Sequence, residues 1–490
     1  MRKVINLQME FWKKDIANIE FDLQSRDEIP KLLMGLQHIY RTEPIRKKVF
    51  EVLKQIVPKK SQETGRPGMD LWKILVLGTL RLNCNWDFDK VHEIANNHSK
   101  LREMLGHNSK TDFDCQYALQ TIRDNIALLT PPILDEINQI VVKAGHGIVS
   151  KKKEPELRGS CDSFVVETDV HYPTDANLLF DAMRKIISLI AIICSEIGIT
   201  DWRQSHHNIT KIKRLLRGIQ KLKRSKSKDE KKKEERDSLI AAEHQKYIDV
   251  CQGFVFKSKE TIRILREMMT LSTFQNLRLS TIEEYIGHAE RQIDQIYRRT
   301  VLDEKIPHEE KVFSIFEQHT EWISKGKAGV PQELGLKVCV LKDQFGFILH
   351  HLVMEQQTDD KVAVDMTQGA KDRFENLSGC SFDKGFYTPD NRSQLAKILE
   401  YIIMPKKGRL SAKDKQIEHS EEFIESRRKH SAVESSINAL ENHGLDRCLD
   451  HGVHGFKRYV ALSVLARNIQ ILGSLLQQKA LKRQKRRKAA

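Results

Sequence analysis

Strand-forming sequence occurs in this chain in places separated by a long helical stretch, and this separation restricts the fold more than any other feature. The first such place is "SCDSFVVETDVHYPTD", Ser160 to Asp175, rich in Val, Phe, Thr and Tyr and ending near Pro173. The second is "LGLKVCVLKDQFGFILHHLVMEQ", Leu334 to Gln356. There Leu336, Val338 and Val340 alternate, "KDQFG" supplies a turn, and Phe347 to Val353 runs back, a hairpin signal. A third, shorter apolar stretch, Cys380-Ser381-Phe382, runs straight into the turn formers "DKGFYTPDN". A lone strand or hairpin is at best marginally stable in water, so these segments must find one another in a common sheet. The expected architecture is α/β mixed, a mixed sheet flanked by helices, with a helical N-terminal domain and a long helical insertion.

The boundaries follow composition. Residues 1–150 read as a helical N-terminal domain, for DNA binding or dimerisation, since "MDLWKILVLGTLRLNCNWDFDKVHEIANNHSKLREMLG" places apolar residues at helical spacing and follows the turn "GRPG". After the charged linker "KKKEPELR", residues 151–204 carry the first strand and a helix and form the first part of the core. Residues 205–320 are highly charged and helical by propensity, the insertion. Residues 321–478 return to the sheet and close on a helix that places Leu462, Leu465, Ile469, Leu472 and Leu476 on one face. Residues 479–490 are a basic tail.

The chain's 82 Lys and Arg against 67 Asp and Glu give a net charge of +15, which favours a polyanionic partner such as nucleic acid. The eight cysteines form no CxxC pair, which argues against a zinc ribbon and a disulfide framework and for reduced thiols in a cytosolic protein. "IISLIAIIC", from Ile186, is far short of the roughly 20 residues of a membrane span and reads as a buried helix. The adjacent pairs His206-His207 and His350-His351 lack the partner spacing of metal ligands.

Three acids stand out by placement. Asp162 lies on the first strand, Asp383 where a later strand breaks into a loop, and Glu434 on the helix "RRKHSAVESSINALE". An acid at a strand end usually bonds to a turn, and one on an amphipathic helix is usually solvated. Gathered by a fold, however, three carboxylates repel one another unless a cation neutralises them. Hard oxygen ligands suit Mg²⁺ or Mn²⁺, and two such ions suit phosphodiester displacement.

Four stretches carry a resemblance. "CDSFVVETDVHYPTDANLLFDAMRKII", "ISKGKAGVPQELGLKVCV", "SFDKGFYTPDN" and "RRKHSAVESSINALENHGLDRC" followed by "GFKRYVALSVLARNIQILGSLL" occur in that order. Together they resemble the conserved blocks of bacterial insertion-sequence transposases of the DDE type, whose catalytic core is RNase H-like. The resemblance implies Asp162, Asp383 and Glu434 as catalytic and metal-binding residues, with Asp169 second to Asp162 as the first acid. Asp175, in "PTD", is better explained as a helix N-cap. Lys325, Lys327, Lys384, Arg427 and Arg428 are the implied DNA contacts. Two Mg²⁺ or Mn²⁺ ions, double-stranded DNA (terminal inverted repeats and a target), a homodimer or larger assembly, and action at the bacterial nucleoid are likewise implied. His430 stands where the family pattern often has Arg, and Glu441 where it often has Lys.

Overall fold

The computed structural model describes residues 3–5, 15–57, 68–107, 115–150, 155–224, 229–268, 270–324 and 332–489. The chain forms two compact units, one of residues 1–169 and 321–490, the other of residues 170–320.

The first unit is built on a mixed sheet. Its strands are β1 (Leu157–Thr168), β2 (Glu321–Ser324), β3 (Gln332–Asp343), β4 (Ile348–Met354), β5 (Leu377–Phe382), β6 (Tyr401–Ile403) and β7 (Arg447–Cys448). β1 is central, antiparallel to β3 on one side and parallel to β5 on the other. β4 and β2 share the outer edge of β3, both antiparallel to it, and β6 extends the sheet beyond β5 in parallel. β7 joins β1 in parallel at Glu167 and Thr168. The expected hairpin is β3–β4, turned at Gly346 with φ +92°, a left-handed conformation that favours glycine. His350 and His351 lie in it, and burial pushes His350 down to about 3.

Alternation along the strands separates two cores. Phe164, Val166, Val338 and Val340 face one side, packed with Val433, Ile437 and Leu440 of the helix Ala432–Leu440 and with the N-terminal helices. Cys161, Cys339, Leu341, Cys380 and Phe382 face the other, under the helix Asp359–Arg373, which buries Val362, Ala363, Met366 and Ala370.

The N-terminal helices are not a domain of their own. Helix Leu71–Asn83 buries nearly every residue, so it has no solvent face and needs partners all round. The C-terminal helix Gly452–Ala489 supplies one: Leu462, Leu465 and Ile469 share a core with Leu32, Leu36, Leu75 and Leu77. Its crossing with helix Glu28–Arg41 is so close that a Cβ on Gly35 would stand 2.2 Å from the Ile469 carbonyl oxygen and one on Gly473 1.8 Å from that of Lys31. Two polar latches add to this. Arg81, 2% exposed, pairs with Asp450 at 2.8 Å, and His146 Nε2 meets Asp343 Oδ2 at 2.5 Å. Gly452–Arg487 is long and apolar enough to cross a membrane by length and composition, but 72% of its apolar window is buried inside the protein, where it serves as a core helix.

The second unit is helical, formed by Asp175–Ile197, Ser205–Lys223, Glu230–Met268 and Thr273–Thr300 around a core including Ile186, Ile190, Trp202, Tyr247, Ile282 and Ile286. It begins at Val170, not at 205. The helix Asp175–Ile197, assigned by sequence to the sheet, packs instead on its helical successors, because Ile186, Ile187, Ile190 and Ile193 match their apolar faces. In "IISLIAIIC" Ile186, Ile187, Ile190, Ile193 and Cys194 are buried, as the sequence reading expects of a core helix, while Ile192 is exposed.

Candidate active site

Asp162 lies in the middle of β1 on the face of Phe164 and Val166. The parallel register sets Cys161 opposite Phe382, so the following residues, Asp162 and Asp383, stand side by side at the spacing of neighbouring strands, about 5 Å at the backbone. β5 stops there, and β7 begins only opposite Glu167. Among the described residues, then, that edge of β1 has no strand partner between Asp162 and Val166. The gap leaves the half-buried Asp162 and the exposed Asp383 open to solvent.

Glu434 approaches from the covering helix. Val433, Ile437 and Leu440 turn inward, which leaves Glu434 exposed in the first turn. Lys342 on β3 fixes this end of the helix, its Nζ donating to the Ala432 carbonyl at 2.8 Å. Burial holds the Lys342 ammonium below its ordinary range. One turn earlier, His430 meets the hydroxyl of Ser381, two residues before Asp383, at 2.9 Å through Nδ1. Burial lowers the affinity of His430 for a proton, and the charges of Asp383 and Glu434 work against that lowering.

The electrostatics tie these acids together. The Asp162 carboxyl is pushed up to about 6, first by burial and then by the negative charges of Asp383, Asp359 and Glu434, while the Ser163 backbone N–H pulls the other way. Asp359 is an acid that sequence reasoning missed. It opens the helix on the opposite face of the sheet, and Ser163 Oγ donates to its Oδ1 at 2.7 Å. Lys337 Nζ lies 3.3 Å from the same carboxylate. Asp359 is therefore already paired, with Lys337 and Ser163, whereas Asp162, Asp383 and Glu434 share a solvent-facing side. Gly385, two residues after Asp383, lies close to Asp359. It does not adopt a left-handed turn; a Cβ there would lie 3.0 Å from Asp359 Oδ2, so its smallness makes room for this carboxylate.

The other expected site residues divide. Lys384 follows Asp383 directly and is exposed. Arg427 and Arg428 are exposed in the last turn of helix Glu421–His430, where cations suit the helix dipole. Lys325 and Lys327 lie outside the described residues. Asp169 is not among the acids: it lies beyond the far end of β1, exposed, 3.7 Å from Arg447. Asp175 belongs to the helical unit, where Thr174 is the N-cap and Asp175 the first helical residue, paired with Arg299 at 3.0 Å. Glu441 opens a π-helical turn, Glu441–Leu445, in which the helix of Glu434 ends.

The donor set is chemically suited to a hard divalent cation, since it consists of carboxylate oxygens whose mutual repulsion a cation would relieve. As the side chains stand, no group of three or more His, Cys, Asp or Glu among the described residues closes on one point at metal-ligand range. Asp383 and Glu434 are both exposed, and Asp162 is half-buried. Comparison with protein-family models, curated proteins and solved structures gives no match.

Proposed function

We propose that the chain is a DNA transposase of the DDE type, which cuts DNA at element ends and joins the freed 3′-hydroxyl to a target. The observation that carries this reading is the pair Asp162 and Asp383, each one residue past the register pair Cys161–Phe382 at the gap in the sheet, with Glu434 adding its charge from the covering helix. The sheet order supports an RNase H-like core. An antiparallel β1–β3–β4 set lies on one side, and β5 and β6 run parallel to β1 on the other, each followed or preceded by a helix.

Asp162, Asp383 and Glu434 would hold two Mg²⁺ or Mn²⁺ ions, which when bound supply activation of the attacking oxygen and stabilisation of the leaving one. The protein's own contribution is backbone placement: one acid on β1, a second immediately past the end of the neighbouring β5, and a third on a helix fixed by Lys342. Exposed Lys384, Arg427 and Arg428 supply positive charge beside the acids for the DNA backbone. The excess of cations, and eight cysteines outside any disulfide, fit a cytoplasmic protein working at the nucleoid, as a homodimer or larger assembly on paired ends.

The test uses the full chain with DNA carrying the sequences that flank its gene. Mg²⁺-dependent nicking is expected from the wild type and none from Asp383→Asn or Glu434→Gln, with duplex binding retained in both. Cleavage that survives both substitutions at the same Mg²⁺ concentration removes the assignment. Precut ends separate a transposase from an RNase H-like nuclease, because only the former joins them to a target. Wild-type protein that binds DNA but never nicks it would be a catalytically inactive regulator.

A further inference from the structure

The helical unit carries a charge distribution that the proposed reaction does not use. Helix Ser205–Lys223 contains no Asp or Glu. Its apolar residues are spent inward: Ile212, Leu216 and Ile219 are buried at helical spacing in the core of the unit. The opposite side exposes Lys211, Lys213, Arg214, Arg217 and Lys221, and Arg224 continues the row just past the helix end. Several exposed cations elsewhere in the unit are matched by acids, as Arg263 is by Glu260 and Glu267, Lys259 by Glu290 and Arg266 by Glu283, and the exposed Lys231, Lys232 and Lys233 share their helix with Glu230, Glu234 and Glu235. On this helix none of the six makes an ion pair among the described residues. Glu243 does lie on the packing flank, 3.9 Å from where a Cβ of Gly218 would stand, but it pairs with Lys246.

Six like charges on one face repel one another, and an isolated helix gains nothing from them. The stripe is tolerated because packing, not surface pairing, holds the helix. It becomes favourable only when a polyanion covers it. From Lys211 to Arg224 the row extends about 20 Å, a length over which duplex DNA presents about a dozen phosphate charges. A lipid surface fits less well. Interfacial helices set large apolar side chains against the acyl boundary, and no large apolar residue of this helix is exposed.

We infer that the face of helix Ser205–Lys223 bearing Lys211, Lys213, Arg214, Arg217, Lys221 and Arg224 is a phosphate-backbone contact surface for double-stranded DNA. The choice of DNA as the polyanion rests on the proposed function; the surface itself rests on the unpaired row. Such contacts position a duplex and carry no base specificity.

The experiment is a salt titration of duplex binding by the full-length protein, read by fluorescence anisotropy with a labelled duplex of arbitrary sequence. The triple variant Arg214→Gln, Arg217→Gln, Lys221→Gln is compared with wild type and with the charge-keeping variant Arg214→Lys, Arg217→Lys, Lys221→Arg. Removal of three phosphate contacts should flatten the slope of log affinity against log salt by roughly 3, at about 0.9 per contact, and weaken binding at physiological salt. The charge-keeping variant should retain the wild-type slope, and equal melting temperatures for all three proteins exclude misfolding as the cause. If the triple variant misfolds, Arg217→Gln alone, with an expected change of about 1 in slope, takes its place. An unchanged slope overturns the inference, and so does a loss seen only with RNA or only with anionic vesicles. Nicking assays on the same wild-type preparation separate the two claims. A flattened slope without any nicking leaves this surface standing and removes the transposase reading; nicking with an unchanged slope does the reverse.

Discussion

Two acids seven positions apart on and just beyond one strand meet opposite fates. Asp162 is half-buried where β5 stops, beside Asp383 and within the field of Glu434 and Asp359, and its carboxyl is pushed up to about 6. Asp169, past the other end of β1, is open to water and faces Arg447, which also reaches Glu167 at 3.1 Å. Residue type and strand are shared, so the difference comes from what the neighbouring strands do. At Asp162 a strand ends and brings a second acid; at Asp169 a short strand begins and brings a cation. A site on such a sheet is made where like charges are forced together against their electrostatic preference.

The largest expected effect sets the two acids against each other directly. Asp162→Asn should abolish Mg²⁺-dependent nicking, and Asp169→Asn should leave the rate within about twofold, because an exposed ion pair contributes little to positioning. Loss of nicking in Asp169→Asn with activity retained in Asp162→Asn would invert the comparison and make Asp169 the first acid.

Stability gives the next contrast, with the sign fixed by the raised carboxyl. Below about pH 4 both folded and unfolded Asp162 hold the proton, and no penalty exists. As pH rises from about 4 to about 6, the unfolded chain releases its proton while the folded one retains it, so stability falls through this window and stays lower above it. The shift corresponds to about 3 kcal/mol, reduced to roughly 1–2 kcal/mol by the solvent that reaches this half-buried group. Asp162→Asn should thus be more stable than wild type at pH 7.5 by that amount, with the gain vanishing near pH 4 in urea melts. Mg²⁺ should raise the melting temperature of the wild type and have less effect on the variant. A variant less stable than wild type at pH 7.5 would show that Asp162 is a structural acid.

Asp359 sharpens the contrast from behind the sheet. Its carboxylate holds Ser163 and Lys337, so Asp359→Asn weakens a partly buried ion pair and should cost about 1 kcal/mol. The same change removes one of the negative charges acting on Asp162, so the apparent titration point of Asp162 by NMR should move down. A stability loss with no movement of Asp162 would confine Asp359 to holding the helix start.

These positions also show what the sequence could and could not reveal. The hairpin of β3 and β4 was legible because alternation and "KDQFG" are local signals. The placement of Asp162 on a strand and Asp383 at a strand end was legible for the same reason. Their adjacency was not, because it depends on a parallel register between segments separated by the entire helical unit. Asp359 was hidden for a related reason: "TDDKVAVD" announces a helix start, but only the fold sets it against Lys337 and Ser163. The two compact units do not follow the composition borders of the helical regions. Amphipathic periodicity tells which face of a helix is apolar, not which apolar surface it will cover. Helix Asp175–Ile197 accordingly went to the helical unit, and the N-terminal helices merged with the sheet through Gly452–Ala489.

The smallest effect is the one expected at the far end of β1. Arg447 is 53% exposed and stands 3.7 Å from Asp169, whose own exposure is 57%. Such a pair gains little Coulomb energy in water and has to hold two mobile side chains, so Asp169→Asn should change the unfolding free energy by less than about 0.5 kcal/mol. Arg447 keeps Glu167 as a partner, which reduces the effect further. The informative variant is therefore the double one, Glu167→Gln with Asp169→Asn, which leaves Arg447 without its carboxylates. It should still fall within about 1 kcal/mol of wild type at 150 mM salt, with any loss shrinking as salt rises, because screening acts on exposed charges. A loss of several kcal/mol, insensitive to salt, would mean that these acids anchor β7 and the π-helical turn preceding it. The far end of the strand would then share in fixing the helix that bears Glu434, and the contrast between its two ends would no longer be one of site against surface.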